Sequence, residues 1–112
     1  MNLSTEMLPG GVAKVILDGS LDIPGSQAID LRFNVIAGAN KAVVVDLSAV
    51  TFVASIGIRT LLTGAKAIQL KGGKLVLFNP SAAVEKVLRV TGVDTLMPIF
   101  ADFDAAVKAV SP

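Results

Sequence analysis

The chain begins with an alternation. Leu3, Thr5 and Met7 are separated by polar neighbours, the period of a half-buried strand. Pro9-Gly10-Gly11 supplies turn chemistry, and Val12 to Leu17 is a second, more apolar run, so the two predict a hairpin. In the segment LDGSLD, residues 17 to 22, Gly19 invites an irregular backbone. Asp22 precedes Pro24, a residue favoured in a first helical turn. Ala28, Leu31, Val35 and Ile36 then suggest an amphipathic helix from about Pro24 to Ala37, ended by Gly38 to Asn40.

The middle of the chain carries the clearest change of period. Ala42-Val43-Val44-Val45 is a continuous, mostly β-branched run, the pattern of a strand buried on both faces in a sheet with parallel members. Asp46 and Ser48 break it, and a mostly apolar loop, Ala49 to Ala54, follows. From there Ile58, Leu61, Leu62, Ala65 and Ile68 recur at helical spacing, with Arg59, Thr63 and Lys66 on another face. Ser55 stands where that helix should begin and Gly72-Gly73 where it should stop. Lys74 to Phe78 predicts another strand. Asn79-Pro80-Ser81 predicts a helix start with Val84, Val87 and Leu88 inward and Gly92 as its end. Leu96 to Phe100 is a last short strand, kept to an edge by Pro98, and Asp102 to Val110 can form a terminal helix.

The order β-β-α-β-α-β-α-β-α implies an α/β fold: a mixed sheet whose parallel pairs are joined by right-handed crossovers, opened by a hairpin. A length of 112 residues fits one domain, 1–112.

Ser55 is the residue of interest in this pattern. The first turn of a helix presents backbone N–H groups without internal partners. A serine hydroxyl there can accept from one of them, worth about 1 kcal/mol. The helix dipole makes the same spot hospitable to a phosphate. A plain capping serine and a functional serine both fit.

Composition narrows the chemistry. Cysteine and histidine are absent. Disulfides, thiolate nucleophiles, a histidine general base and the commonest transition-metal ligands are therefore excluded, along with any Ser-His-Asp set. No enzymatic activity of its own and no cofactor are expected. Basic residues are scattered and Trp and Tyr are missing, which argues against nucleic acid as a partner. Charged residues are only 17%, which suggests that part of the surface meets another protein. MNLSTEMLPGG has no basic region followed by an apolar core, and no apolar stretch approaches membrane-spanning length. A soluble, cytoplasmic chain with no membrane partner is the expectation.

The glycines form no nucleotide-binding loop. Gly57 and Gly64 lie inside a helix, where each costs about 1 kcal/mol relative to alanine. They share a face with Thr60, and either a partner's backbone or this protein's own sheet could approach there. Asp18, Asp22 and Asp46 match no metal-loop spacing and suit turns and caps.

The stretch DLSAVTFVASIGIRTLL resembles the signature of STAS domains, specifically of bacterial anti-sigma factor antagonists, which reads roughly DLS-x-V-x-F-M-D-S-S-G-L. Asp46, Leu47, Ser48, Val50, Phe52, Ser55 and Gly57 fit it, with Ile58 for the leucine. Leu17, Gly19, Leu21, Asp22 and Ala28 resemble the family's L-x-G-x-L-D…A motif, and GGKLVLFNPSAAVEKVLRVTGV its C-terminal strand–helix segment. The resemblance implies a single STAS domain that binds an anti-sigma factor, itself a serine kinase, and thereby frees a sigma factor. It implies that Ser55 is phosphorylated by that kinase, that phosphorylation breaks the complex, and that a serine phosphatase restores it. The docking face would comprise Asp22, Ser55, Ile56, Gly57, Arg59, Thr60 and Thr63. Two positions depart from the family: its Asp before the serine is Ala54 here, and its second serine is Ile56. These leave room for two other readings, an unphosphorylated adaptor subunit of a lipid ABC transporter and a STAS scaffold.

Overall fold

Gly10 and Gly11 take positive φ values of 84° and 79°, a backbone open to glycine, and so reverse the chain between its first two strands. Strand β1 (Asn2–Leu8) thereby pairs antiparallel with β2 (Val12–Leu21), in an unbroken register from Asn2↔Asp18 to Leu8↔Val12. The computed structural model, which describes residues 1–112, continues with α1 (Ile23–Ala39), β3 (Ala42–Val53), α2 (Ser55–Leu70), β4 (Lys74–Phe78), α3 (Ala82–Val90), a 3-10 turn (Val93–Thr95), β5 (Ile99–Phe100) and α4 (Phe103–Val110).

The five strands lie in the order β1-β2-β3-β4-β5, with β2 through β5 parallel. Each crossover steps to the next strand in the same direction, so right-handed connections bring α1, α2 and α3 to one face. The larger core lies there: Leu17, Leu21, Val43, Val45 and Leu77 of the sheet meet Ile29, Phe33, Leu61, Ile68 and Leu88 of the helices. Helix α4 covers the other face, with Ala106 and Val110 against Val12, Val44 and Val76. Val43 and Val45 face one layer and Ala42 and Val44 the other, which is why this strand is apolar without alternation.

Several expectations are revised. No loop spans 49–54: β3 runs on to Val53, because β2 itself extends to Leu21 and pairs with it through Asp18↔Ala49 and Leu21↔Val53, over register shifts near Gly19. In α1 the buried residues are Gly25, Ser26, Ile29, Phe33 and Ala37, while Ala28, Leu31 and Val35 face solvent. Small residues and one phenylalanine, rather than the most apolar stripe, fit the close approach of α2. Of the β1 alternation only Leu3 is buried. Val87 faces outward. The last strand is reduced to two residues. Pro98 has no N–H to give, though its carbonyl accepts from Leu77 N at 2.9 Å.

One lysine ties the two central helices together. Lys71, just past α2, donates from Nζ to the carbonyl oxygens of Ala37, Gly38 (2.8 Å) and Asn40 (3.1 Å), the otherwise orphaned end of α1. Lys71→Met keeps the methylene stem and removes the cation. It is expected to cost about 1–2 kcal/mol, read as a lower melting temperature by calorimetry. An unchanged transition would show that the carbonyls are as well served by water.

Candidate functional site

Strands β2 and β3 end side by side, so α1 and α2 start side by side. Asp22 caps α1, its Oδ1 accepting from Gly25 N at 2.8 Å. Ala54 caps α2 in extended conformation (φ −101°, ψ 169°), and its N–H donates to the carbonyl oxygen of Leu21 at 2.9 Å. The end of β2 thus holds the start of α2. Gly57 sits directly over that junction: a Cβ there would lie 2.7 Å from the Leu21 carbonyl oxygen. A Cβ on Gly64, two turns on, would run into the ring of Phe33. Both glycines therefore serve packing within this chain, against β2 and α1.

Ser55 is the first helical residue and not the cap, which corrects the capping expectation. Ala54 takes the cap because its backbone completes the strand pairing. The Ser55 side chain is left exposed, and its hydroxyl makes no hydrogen bond to the rest of the chain. Since alanine has no side-chain acceptor, the first turn of α2 has no side-chain cap and no acidic residue. By contrast Asp22, Ser81 and Asp102 cap α1, α3 and α4.

The other proposed docking residues divide. Arg59 and Thr63 are exposed, Asp22 and Ile56 are half-buried, and Gly57 and Thr60 are buried, Thr60 at 7% exposure. Thr60 and Thr63 donate their hydroxyls to the carbonyls of Ile56 (3.1 Å) and Arg59 (2.9 Å) within the helix. Ile56, Arg59, Thr60 and Thr63 line one wall of a groove of about 210 Å³, and Ser26, Gln27 and Asp30 of α1 line the other. Arg59 takes part in no ion pair. Arg89 shows the alternative: Glu85 (2.8 Å) and Asp94 (3.3 Å) engage it, and the Glu85 hydrogen bond and charge raise its pKa. Arg59 is thus the unpaired cation beside Ser55.

The hydropathy pattern did not single out two exposed apolar side chains at this end of the sheet, Ile23 (59% exposed) and Phe52 (54%). Ile23 follows the Asp22 cap. Phe52 pairs with Ser20 and borders a small cleft against Ala83, Val84 and Val87 of α3. The usable signal was an apolar residue next to a cap or strand end, where it has nothing of its own chain to cover it. Two of the three carboxylates considered as a cluster have separate local tasks. Asp22 caps α1, and Asp46 Oδ1 accepts from Ser48 N (2.9 Å) and Oγ (2.6 Å). No group of three or more His, Cys, Asp or Glu could hold a metal ion, and no helix is long and apolar enough to cross a membrane.

Comparison with known proteins places this geometry. A family model described as the STAS domain matches residues 8–106. No curated protein sequence matches. Among solved structures, an anti-sigma factor antagonist from Mycobacterium paratuberculosis is 26% identical, with a TM-score of 0.83 over 99% of this chain and 94% of that one. The Bacillus cell fate determinant SpoIIAA in its phosphorylated form is 21% identical, with a TM-score of 0.73 over 96% and 99%. The murine anion transporter Slc26a9 is 22% identical, with a TM-score of 0.75; the match takes in 89% of this chain but 18% of the transporter.

Proposed function

The chain belongs to the STAS domain family, and from that premise we propose that it is a bacterial anti-sigma factor antagonist acting in the cytoplasm. In the unphosphorylated state it binds a serine-kinase anti-sigma factor and releases the sigma factor. Phosphorylation of Ser55 ends that binding, and a serine phosphatase reverses it. The observation that carries the reading is the Ser55 hydroxyl: exposed, free of hydrogen bonds and mounted on the uncapped first turn of α2. The phosphorylated SpoIIAA structure and the antagonist from Mycobacterium paratuberculosis lend it support by likeness.

The chemistry suits a switch. A phosphate brings about −1.5 to −2 charges at pH 7. At the start of a helix the fold tolerates it, since the dipole favours negative charge there. For a docked partner the same group, next in sequence to the half-buried Ile56, is bulk and charge on an end of the sheet that exposes Ile23 and Phe52. The kinase supplies nucleotide and base, so this chain needs only to present the hydroxyl. Asp22, Ile56 and Arg59 form the surrounding contact surface, Thr63 its far end. Gly57 and Thr60 shape it from beneath.

The test is direct. The protein is incubated with the source organism's serine-kinase anti-sigma factor and ATP, and the modified residue is mapped by mass spectrometry. Phosphate on Ser55 alone is expected. Binding with no modification of Ser55 would overturn the phosphoswitch and favour the adaptor reading, for which the Ala54 and Ile56 departures are the specific observation.

A further inference from the structure

The sheet ends in two unlike edges. At one, β5 contributes two residues behind Pro98. At the other, β1 offers seven, Asn2–Leu8, without proline, lysine or a break in register, and no strand pairs with its outer side. Edges of this kind are commonly shortened, charged or bulged, because their free N–H and C=O groups accept another strand. Beside it three large apolar side chains stand in solvent: Met7 at 61% exposure, and Leu31 and Val35 of α1 at 77% and 62%. Leu31, Arg32, Val35 and Ile36 share a shallow groove with Thr5, so the apolar flank of α1 adjoins the middle of the strand.

We propose that this edge joins a second copy of the chain, β1 pairing antiparallel with its twin about a two-fold axis through Thr5. Only one register pairs all seven residues: Asn2 with Leu8, Leu3 with Met7, Ser4 with Glu6, and Thr5 with itself. That register also matches faces. Leu3, Thr5 and Met7 lie opposite Leu17, Val15 and Ala13 of β2, which belong to the larger core. Pairing therefore sets the exposed Met7 of one copy against Leu3 of the other, on the helix-covered side. A threonine pair on the axis is a favourable cross-strand match.

The flank of α1 follows from the same axis. Because Leu31 and Val35 line the groove with Thr5, a two-fold through Thr5 brings the two α1 flanks towards each other across the seam. The charges do not oppose it: the edge carries one acid, Glu6, and one base, Arg32, and the whole chain has a net charge of +1. A seven-residue strand is about 24 Å long. The smallest standard specific interface buries about 1,200 Å² in total, so the strand edge and the adjoining helix flank together have to cover roughly a tenth of the 5717 Å² that each chain exposes. The association is isologous and uses up both long edges, so it stops at two chains. It leaves Ser55 free and does not depend on the phosphoswitch.

Sedimentation equilibrium on the full chain tests the stoichiometry, with twice the chain mass expected. Leu31→Glu combined with Val35→Glu, both on solvent-facing positions, should return the mass to one chain with an unchanged circular dichroism spectrum. The chain has no cysteine, so Thr5→Cys places its only thiols on the proposed axis. Mild oxidation should then yield a covalent dimer faster than it does for Ser81→Cys, an exposed control remote from the edge. A single-chain mass at every concentration, a series of larger oligomers, or equal cross-linking of the two cysteine variants would each overturn the proposal.

Discussion

Ser55→Asp is expected to melt like the parent chain and to bind the serine-kinase anti-sigma factor at least about 100-fold more weakly, close to 3 kcal/mol. The two halves of this expectation come from opposite effects of one charge. In the folded chain the carboxylate joins a first turn with no side-chain cap and no acid, where a negative group is favoured by about 0.3–1 kcal/mol. Stability therefore holds or rises slightly. In the complex the same carboxylate is taken from water on a face that also carries Ile56 and, at the same end of the sheet, the exposed Ile23 and Phe52. Arg59, one turn on, is the one cation beside it and belongs to the same docking face, and burying a carboxylate there costs several kcal/mol that a single ion pair does not repay. Ser55→Ala serves as the control: it should bind as the parent does but resist weakening by ATP. Ionic strength separates burial from long-range repulsion. Exposed charges are screened over about 8 Å at physiological salt, so repulsion alone would fade with added salt while a desolvation penalty persists. Calorimetry showing equal affinities for Ser55→Asp and the parent would leave Ser55 outside the interface.

How much of this was legible in the sequence differs from element to element. The apolar run Ala42–Val45 announced a central parallel strand, because burial on both faces removes the alternation that other strands need. The order of elements followed, and with it the position of Ser55 at the start of α2. The capping assignment did not follow. Whether a residue is cap or first helical residue depends on which backbone N–H completes the neighbouring strand, here Ala54 to Leu21. That is a tertiary fact. Helix α1 departs from its hydropathy stripe for a related reason. Leu31 and Val35 are more hydrophobic than Gly25 or Ser26, yet the face turned inward was chosen by steric fit. Gly64 admits the Phe33 ring, and Gly25 sits on the end of β2. Gly57 and Gly64 could be marked as close-approach points from their helical positions, but sequence left open whether the approaching surface was foreign. It proved to be Leu21 and Phe33. The exposed apolar residues at this end of the sheet, Ile23 and Phe52, were hidden because an apolar residue carries no sign of which elements fail to cover it.

The same reasoning about fit predicts opposite outcomes for one substitution at two places in α1. At Gly25 the backbone rests against the end of β2: an added Cβ would overlap the carbonyl oxygen of Ser20 and press on Asp22 Oδ1 at 3.0 Å. Backbone cannot step aside as a flexible side chain can. Gly25→Ala must lift the first turn of α1 from β2 and loosen the 2.8 Å cap bond from Gly25 N to Asp22. Overpacking of this kind costs about 1–3 kcal/mol and loss of a cap about 1. Against these stands a gain of about 1 from better helix propensity. A net loss of about 1–3 kcal/mol is expected, a fall of several degrees and at the upper end of more than about 10 °C in melting temperature for a domain this small. At Gly38, near the other end of the helix, nothing lies within 4 Å of an added Cβ, and the backbone is not in the left-handed region. There the propensity term stands alone, and Gly38→Ala should stabilise the chain by about 0.5–1 kcal/mol. Because Ala54 and Gly57 of α2 rest on Leu21 of the same strand end, Gly25→Ala should also loosen the turn that carries Ser55. Amide hydrogen exchange would show this as lost protection at Ala54, Gly57 and Ile58, with little change along α4. If Gly25→Ala and Gly38→Ala melt alike, the junction between α1 and the end of β2 is looser than the geometry that holds Ser55 in place requires.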